Sequence, residues 1–208
     1  MKSLLIILLF TTYLFSMSVQ EKKRVFIDKV LPAIEKIYNL NTKVYEDVKL
    51  SLKDKSKQNY IAKLKTKYKV STDEELLMSL KPFPISIALA QAAIESAWGT
   101  SRFYREANNI FGVWAFGKNT PRIAAKEKRK GKTIWVKKYN SLEDSINDYY
   151  LNIGRGFAYK KFRELNMKSL TPYELVKELK MYSEKREVYS KELESIIRYN
   201  KFTKYDKK

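Results

Sequence analysis

The stretch Pro84-Ile-Ser-Ile-Ala-Leu-Ala-Gln-Ala-Ala-Ile-Glu-Ser-Ala-Trp-Gly99 decides the fold. Proline suits the first turn of a helix and glycine the residue past its end. The small residues Ala88, Ala90, Ala92, Ala93 and Ala97 let other helices approach from several sides, so the pattern predicts a central helix stopped at Gly99. In its last turns, able to face a cleft, stands Glu95, the only carboxylate between Glu75 and Glu106. Apolar surroundings disfavour the charged form, so such a glutamate can hold a proton near neutral pH, as a general acid must. Two plainer readings stay open: a glutamate that ends a helix near the surface, or one paired with Arg102 or Arg105.

Working outward, Ser71-Thr72-Asp73-Glu74 offers a capping box before Leu76, Leu77, Met78 and Leu80, in a helix that ends at Pro82. Further upstream, Val25, Phe26, Val30, Leu31, Ile34, Ile37 and Tyr38 fall at helical spacing and continue through Val44, Tyr45, Val48 and Leu50. They predict one long amphipathic helix, bent or broken at Pro32, followed by a polar break at Asp54–Gln58 and a second helical piece over Tyr60–Tyr68. Downstream, Ile110-Phe-Gly-Val-Trp114, Ile123 and Thr133-Ile-Trp-Val-Lys-Lys-Tyr139 change to a strand pattern, with a turn at Lys130-Gly131-Lys132. Helices return with a cap at Asn140 or Ser141 and an end at Gly154 and Gly156. Another begins at the signature Thr171-Pro-Tyr-Glu174, and a last one carries Val188, Leu193, Ile196, Ile197 and Tyr199. Helices around one small sheet give an α+β fold, mainly helical: a lysozyme-like single domain with a small antiparallel β-lobe.

Composition narrows the chemistry. The 208 residues suffice for one domain with a sizeable core. There is no cysteine and no histidine, which removes disulfides, the commonest metal ligand and any Ser-His or Cys-His nucleophile pair. Acid–base chemistry must rest on carboxylates, tyrosines or lysines, and neither a metal nor an organic cofactor is implied. Lys and Arg number 42 against 23 Asp and Glu, a net charge of +19 that calls for an anionic partner. The lysines are scattered through every predicted helix and no nucleic-acid-binding motif appears, so no nucleic acid is expected. Met-Lys-Ser, an uncharged run from Leu4 to Phe15, and Ser16-Met-Ser18 before Gln20-Glu-Lys-Lys-Arg24 have the order of a secretory leader. The expectation is a signal peptide over residues 1–18, export to the periplasm or cell envelope, and no stable membrane insertion once it is removed.

Ala88-Leu-Ala-Gln-Ala-Ala-Ile-Glu-Ser-Ala-Trp-Gly-Thr-Ser-Arg-Phe103 and Ala107-Asn-Asn-Ile-Phe-Gly-Val-Trp114 together resemble the bacterial peptidoglycan N-acetylglucosaminidases. The similarity is to the Bax-like branch, related to the hydrolase domain of flagellar FlgJ and to autolysin glucosaminidases. It extends through Tyr139-Asn-Ser-Leu-Glu-Asp-Ser-Ile-Asn-Asp-Tyr-Tyr-Leu-Asn152, Tyr182-Ser-Glu-Lys-Arg-Glu-Val-Tyr189 and the opening Phe26–Glu35, essentially the whole mature chain. The resemblance implies a helical segment over 19–70 packed on a catalytic domain over 71–208.

It also implies that Glu95 protonates the glycosidic oxygen. Glycoside cleavage normally needs a second carboxylate. Glu127, the only acid between Phe111 and Tyr139, lies where related enzymes carry one on a mobile β-lobe, although Ala125-Lys-Glu-Lys-Arg-Lys-Gly131 is equally the sequence of a solvated hairpin tip. Tyr182 matches a tyrosine near the acid and can orient sugar or water, or simply pack. Trp98, Phe111 and Trp114 can face sugar rings or belong to the core. Asn108 and Asn109 can bond acetamido groups or brace the turn below the acid. The implied activity is an endo-β-N-acetylglucosaminidase acting on peptidoglycan glycan strands, with anionic envelope polymers as surface partners. Its rivals are a lytic transglycosylase and a non-catalytic envelope-binding protein.

Overall fold

The computed structural model describes residues 18–129 and 131–206. The expected leader falls outside them except for Ser18. That residue caps helix α1 (Val19–Ser51) through a capping box in which its hydroxyl accepts from Glu21 N and Glu21 accepts from Ser18 N. Pro32 lies inside α1, yet the helix runs through it unbroken for 33 residues. Phe26, Val30, Ala33, Ile34 and Ile37 form its buried stripe, and their burial against the core outweighs the one helical bond the proline cannot make.

Helix α2 (Gln58–Tyr68) and helix α3 (Asp73–Leu80) turn back on the far end of α1, where Val48, Ile61, Leu76 and Leu80 make a small second core. The capping box lies one residue later than the expected Ser71–Glu74: Thr72 is the cap of α3 and its partner is Glu75, whose carboxylate also accepts from Ser71 N. Helix α4 (Ile85–Glu95) is the centre of the molecule, with every residue from Ile85 to Ala93 buried. Alanines on its flanks let α1, helix α6 (Leu142–Arg155) and helix α9 (Glu187–Tyr199) bring Ile34, Ile146, Tyr149, Leu193 and Ile197 into one cluster with Ile87, Ala88 and Leu89.

Between the short helix α5 (Arg102–Ala107) and α6, strands β1 (Arg122–Arg129) and β2 (Lys132–Lys137) form an antiparallel ribbon. Gly131 sits at its tip with φ +74°, and Lys130 is outside the described residues. Trp114 makes an isolated bridge to Val136, so the segment over Val113–Ala115 adds a partial third strand. The register runs from Arg122 opposite Lys137 to Arg129 opposite Lys132 but slips between Ala124 and Lys128. Ala125, Lys126 and Glu127 therefore stand opposite Ile134 alone, a bulged stretch. After α6 come helix α7 (Lys160–Met167), helix α8 (Pro172–Leu175), a 3₁₀ segment over Val176–Tyr182 and, past α9, a final 3₁₀ turn over Phe202–Tyr205.

One glycine differs from its expected role. Gly156 caps α6, but Gly154 lies within the helix, where an added Cβ would be 2.6 Å from the carbonyl oxygen of Ser79 and 2.9 Å from the Tyr68 ring. It is a contact glycine between α6 and α3. Alanine normally gains about 1 kcal/mol over glycine inside a helix, yet here the backbone of Ser79 would have to move, an overpacking cost of about 1–3 kcal/mol. Gly154→Ala should lower the melting temperature by several degrees. A gain in melting temperature would show that the two helices separate more easily than this contact implies.

Candidate active site

Glu95 is the last residue of α4. The helix stops four residues before the expected Gly99 because the chain reverses through Ala97, Trp98 and Gly99, all with positive φ (48°, 56° and 80°). Two of these are not glycine, and left-handed backbone at such residues costs about 1–2 kcal/mol each. The turn is held by Trp98 N donating to Ala93 O at 2.8 Å, by Ser96 Oγ donating to Ala92 O at 2.6 Å and by Gly99 N donating to Ser96 Oγ at 2.9 Å. A Cβ on Gly99 would meet Phe26 at 3.1 Å and Tyr104 at 3.3 Å. The abrupt end leaves the Glu95 side chain on the wall of a cleft of about 550 Å3, within the range that takes small ligands.

The carboxyl is half-buried and its pKa is raised. Desolvation is the main cause; Glu192 adds to it, while the Tyr189 hydroxyl and the charge of Lys185 oppose it. Arg102 pairs with Glu106, and among the described residues no ion pair reaches Glu95. Its partner is Tyr189, whose hydroxyl donates to Glu95 Oε1 at 2.8 Å. Gln91 Nε2 in turn donates to the Tyr189 oxygen at 2.9 Å, and Tyr149 donates to Gln91 Oε1. Three donors thus point the same way along a buried chain that ends on the acid, an arrangement in which each bond polarises the next.

Aromatic rings wall this chain. Phe111 stacks on Tyr149 with ring centres 3.9 Å apart, and Tyr182 stacks on Tyr189 at 5.8 Å. The Tyr182 hydroxyl donates to Phe111 O at 3.3 Å, and burial beside Glu95 keeps it protonated. Tyr159, also in the cleft wall, has its pKa pushed up to about 12 by burial and by Glu95. All these tyrosines remain neutral at physiological pH and can orient a substrate but not act as bases.

The cleft gathers Glu95, Phe111, Trp114 and Tyr182 from the sequence-derived set. Trp114 is 40% exposed and Phe116, which the sequence reading passed over, is 86% exposed, so both present ring faces to whatever enters. Trp98 packs instead against Phe26 and Phe202, with Lys23 over its ring, and does not line the cleft. Asn109 is buried and braces the turn: it donates to Val113 O at 2.9 Å and Lys137 O at 2.8 Å and accepts from Val113 N at 2.9 Å. Asn108, at the left-handed end of α5, donates to Tyr139 O and Asn140 O. Glu127 is exposed in the bulge of β1, with no hydrogen bond or ion pair among the described residues and outside the cleft wall. Two residues on, Arg129 stacks over Trp114 and pairs with Glu184, tying the ribbon to the loop before α9.

Tyr189 and Gln91 are functional residues outside the sequence-derived set. Gln91 carried a usable signal, being the one amide in the apolar helix and four residues before Glu95, hence on the same face. Tyr189 carries no such signal, because a contact across 94 positions leaves no mark on local spacing.

The model of the glucosaminidase family, described as mannosyl-glycoprotein endo-beta-N-acetylglucosaminidase, matches residues 71–202. This chain belongs to the glucosaminidase family. Protein bax of Escherichia coli (strain K12) is 29% identical over 132 residues, 60% of this chain and 46% of that protein. The exo-glucosaminidase LytG of Bacillus subtilis (strain 168) is 40% identical over 81 residues, 36% of this chain and 29% of that one. The chain therefore spans less than half the length of either curated relative. The catalytic domain of the autolysin Auto from Listeria monocytogenes superimposes with a TM-score of 0.51 at 18% identity, covering 91% of this chain and 98% of that one, which is a likeness of fold. The glucosaminidase match begins at residue 71, so α1 and α2 lie outside it, yet Phe26, Val30 and Ile34 of α1 are part of the same core as α4.

Proposed function

We propose that this protein is an exported peptidoglycan hydrolase that cuts glycan strands at the bond following N-acetylglucosamine, at internal positions. The observation that carries this is Glu95: a half-buried carboxyl with a raised pKa, in a cleft with exposed aromatic faces, held by a neutral tyrosine rather than a cation. In the proposed reaction the Glu95 proton passes to the glycosidic oxygen as the C1–O bond breaks. Water then adds to C1 and gives up a proton, either to a second carboxylate or back to Glu95.

Glu127 is the proposed second carboxylate. Its place in a bulge supports this, since bulges re-aim side chains; Glu127 stands outside the cleft wall, so the role requires the ribbon to move. Glu127→Gln should slow turnover about 100-fold or more with little effect on stability, because the side chain is exposed. Unchanged turnover would remove it from the mechanism.

Export and residence in the periplasm or cell envelope are supported by the leader-like first residues and by the net charge of +19, which would hold the enzyme loosely on anionic polymers. A second reading, a lytic transglycosylase, is favoured by one fact: Glu95 is the only carboxylate lining the cleft among the described residues. Mass spectrometry of digested peptidoglycan separates the two. Internal fragments with reducing N-acetylglucosamine ends are expected; anhydro-muramic ends would establish the transglycosylase, and terminal sugars alone would establish exo-action of the kind named for LytG.

A further inference from the structure

The cleft holds a cation that the proposed acid chemistry does not use. Among the described residues two basic ones line it, Lys137 and Arg155. Lys137 is neutralised, because its Nζ lies 2.7 Å from Asp148 Oδ2, which also accepts from the Tyr139 hydroxyl at 2.6 Å. Arg155, the last residue of α6, has no ion pair among the described residues. Its Nη2 donates to Asn152 Oδ1 at 3.1 Å, and the Asn152 amide leans on Asp148 at 3.5 Å. A neutral side chain thus fixes the half-buried guanidinium, and among the described residues most of its five N–H donors have no protein acceptor. With Lys137 paired to Asp148, the basic group of the cleft wall left without a carboxylate partner among the described residues is Arg155.

A sugar ring and its acetamido group are neutral and give a guanidinium nothing to neutralise. A carboxylate matches its fork geometry and is the group such a residue recognises. We infer that Arg155 is a specificity-determining residue that binds a carboxylate carried by the glycan beside the cleaved bond. This deepens the hydrolase reading and rests on it. In peptidoglycan such a carboxylate has two sources: the lactyl group of muramic acid where no peptide is attached, or the acidic residues of the peptide stem. The first is closest to the ring, and it is free only after hydrolysis of the amide that joins lactate to the stem. An amide-hydrolysing activity would then act before this enzyme.

Arg155 also sits where any cation complements a helix C-terminus, and the test must separate that role from recognition. Cleavage of chitin oligosaccharides, peptide-free glycan strands and peptide-bearing strands is compared for the native protein, Arg155→Lys and Arg155→Gln. The kcat/KM ratio of peptide-free strands to chitin should fall about tenfold or more in Arg155→Gln, and less in Arg155→Lys. A fall confined to peptide-bearing strands assigns the carboxylate to the stem and keeps the inference. Equal losses on all three glycans, or no loss on any, overturn it. The same ratios of Kd, measured in the Glu95→Gln background, read recognition without turnover. Carboxylate-dependent binding by a native protein that cleaves none of the three would refute the hydrolase reading and leave Arg155 in its role.

Discussion

Glu95→Gln should reduce hydrolysis of purified peptidoglycan by about 100- to 10,000-fold, the range a positioned general acid contributes, while leaving the fold intact. Glutamine keeps the shape and accepts the hydrogen bond that Tyr189 offers at 2.8 Å, but it has no proton to give. The pH profile should carry the same signature. Activity requires the protonated acid, so the alkaline limb of native turnover should lie above the ordinary carboxylate value, where burial has moved the group.

Stability should move the opposite way. A carboxyl with a raised folded pKa contributes stability in full below its unfolded pKa and loses it as pH rises through the folded one. The glutamine variant lacks that loss. It should therefore be at least as stable as the native protein above the native limb, with the difference opening between the ordinary value of 4.5 and the raised one. Equal activity of the two proteins would end the assignment of Glu95 as the acid; equal pH dependence of their unfolding would show that the carboxyl is not desolvated.

The second large effect is expected at Gln91, which touches no substrate. Its amide is completely buried and joins Tyr149 to Tyr189. Gln91→Leu leaves the Tyr149 hydroxyl without an acceptor and the Tyr189 oxygen without a donor. Each orphaned group costs about 1–3 kcal/mol, so a fall in melting temperature of roughly 5 °C or more is expected. The pH profile distinguishes a relay from a mere packing defect. Donation by Tyr189 lowers the Glu95 pKa against the pull of burial. Weakening it through Gln91 should shift the alkaline limb upward, and Tyr189→Phe, which removes the donor and keeps a ring against Tyr182, should shift it further. A destabilised Gln91→Leu protein with an unmoved limb would reduce the chain to a structural role.

Much of this was legible in the sequence because it is local. The start of α3, found one residue past the Ser71–Glu74 box that the sequence suggests, the buried stripe of α1 and the small-residue helix around Ala88 follow from spacing within a turn or two. Glu95 was legible for the same reason, since an isolated acid in an apolar helix is visible without knowing what surrounds it. Where unusual backbone geometry or tertiary contact decides, the sequence was silent. Gly99 ended the helix on paper, but Ser96 and two left-handed residues end it earlier in the molecule. Gly154 read as punctuation, but it is the point at which α6 meets the backbone of Ser79. Asn109 read as a sugar ligand or a brace alike, because an amide suits both until its partners are known.

The contact at the other end of α4 has a practical corollary. Asp206 accepts from Ser86 N at 2.8 Å and from Ser86 Oγ at 2.7 Å, so residues distant in the chain cap the first turn of the very rod that ends in the acid. Protease trimming back past Asp206, or a rigid tag spliced directly after it, would loosen that rod and blunt turnover without touching the cleft. Immobilisation or labelling chemistry for this protein is better directed to the exposed lysines of α2, such as Lys63.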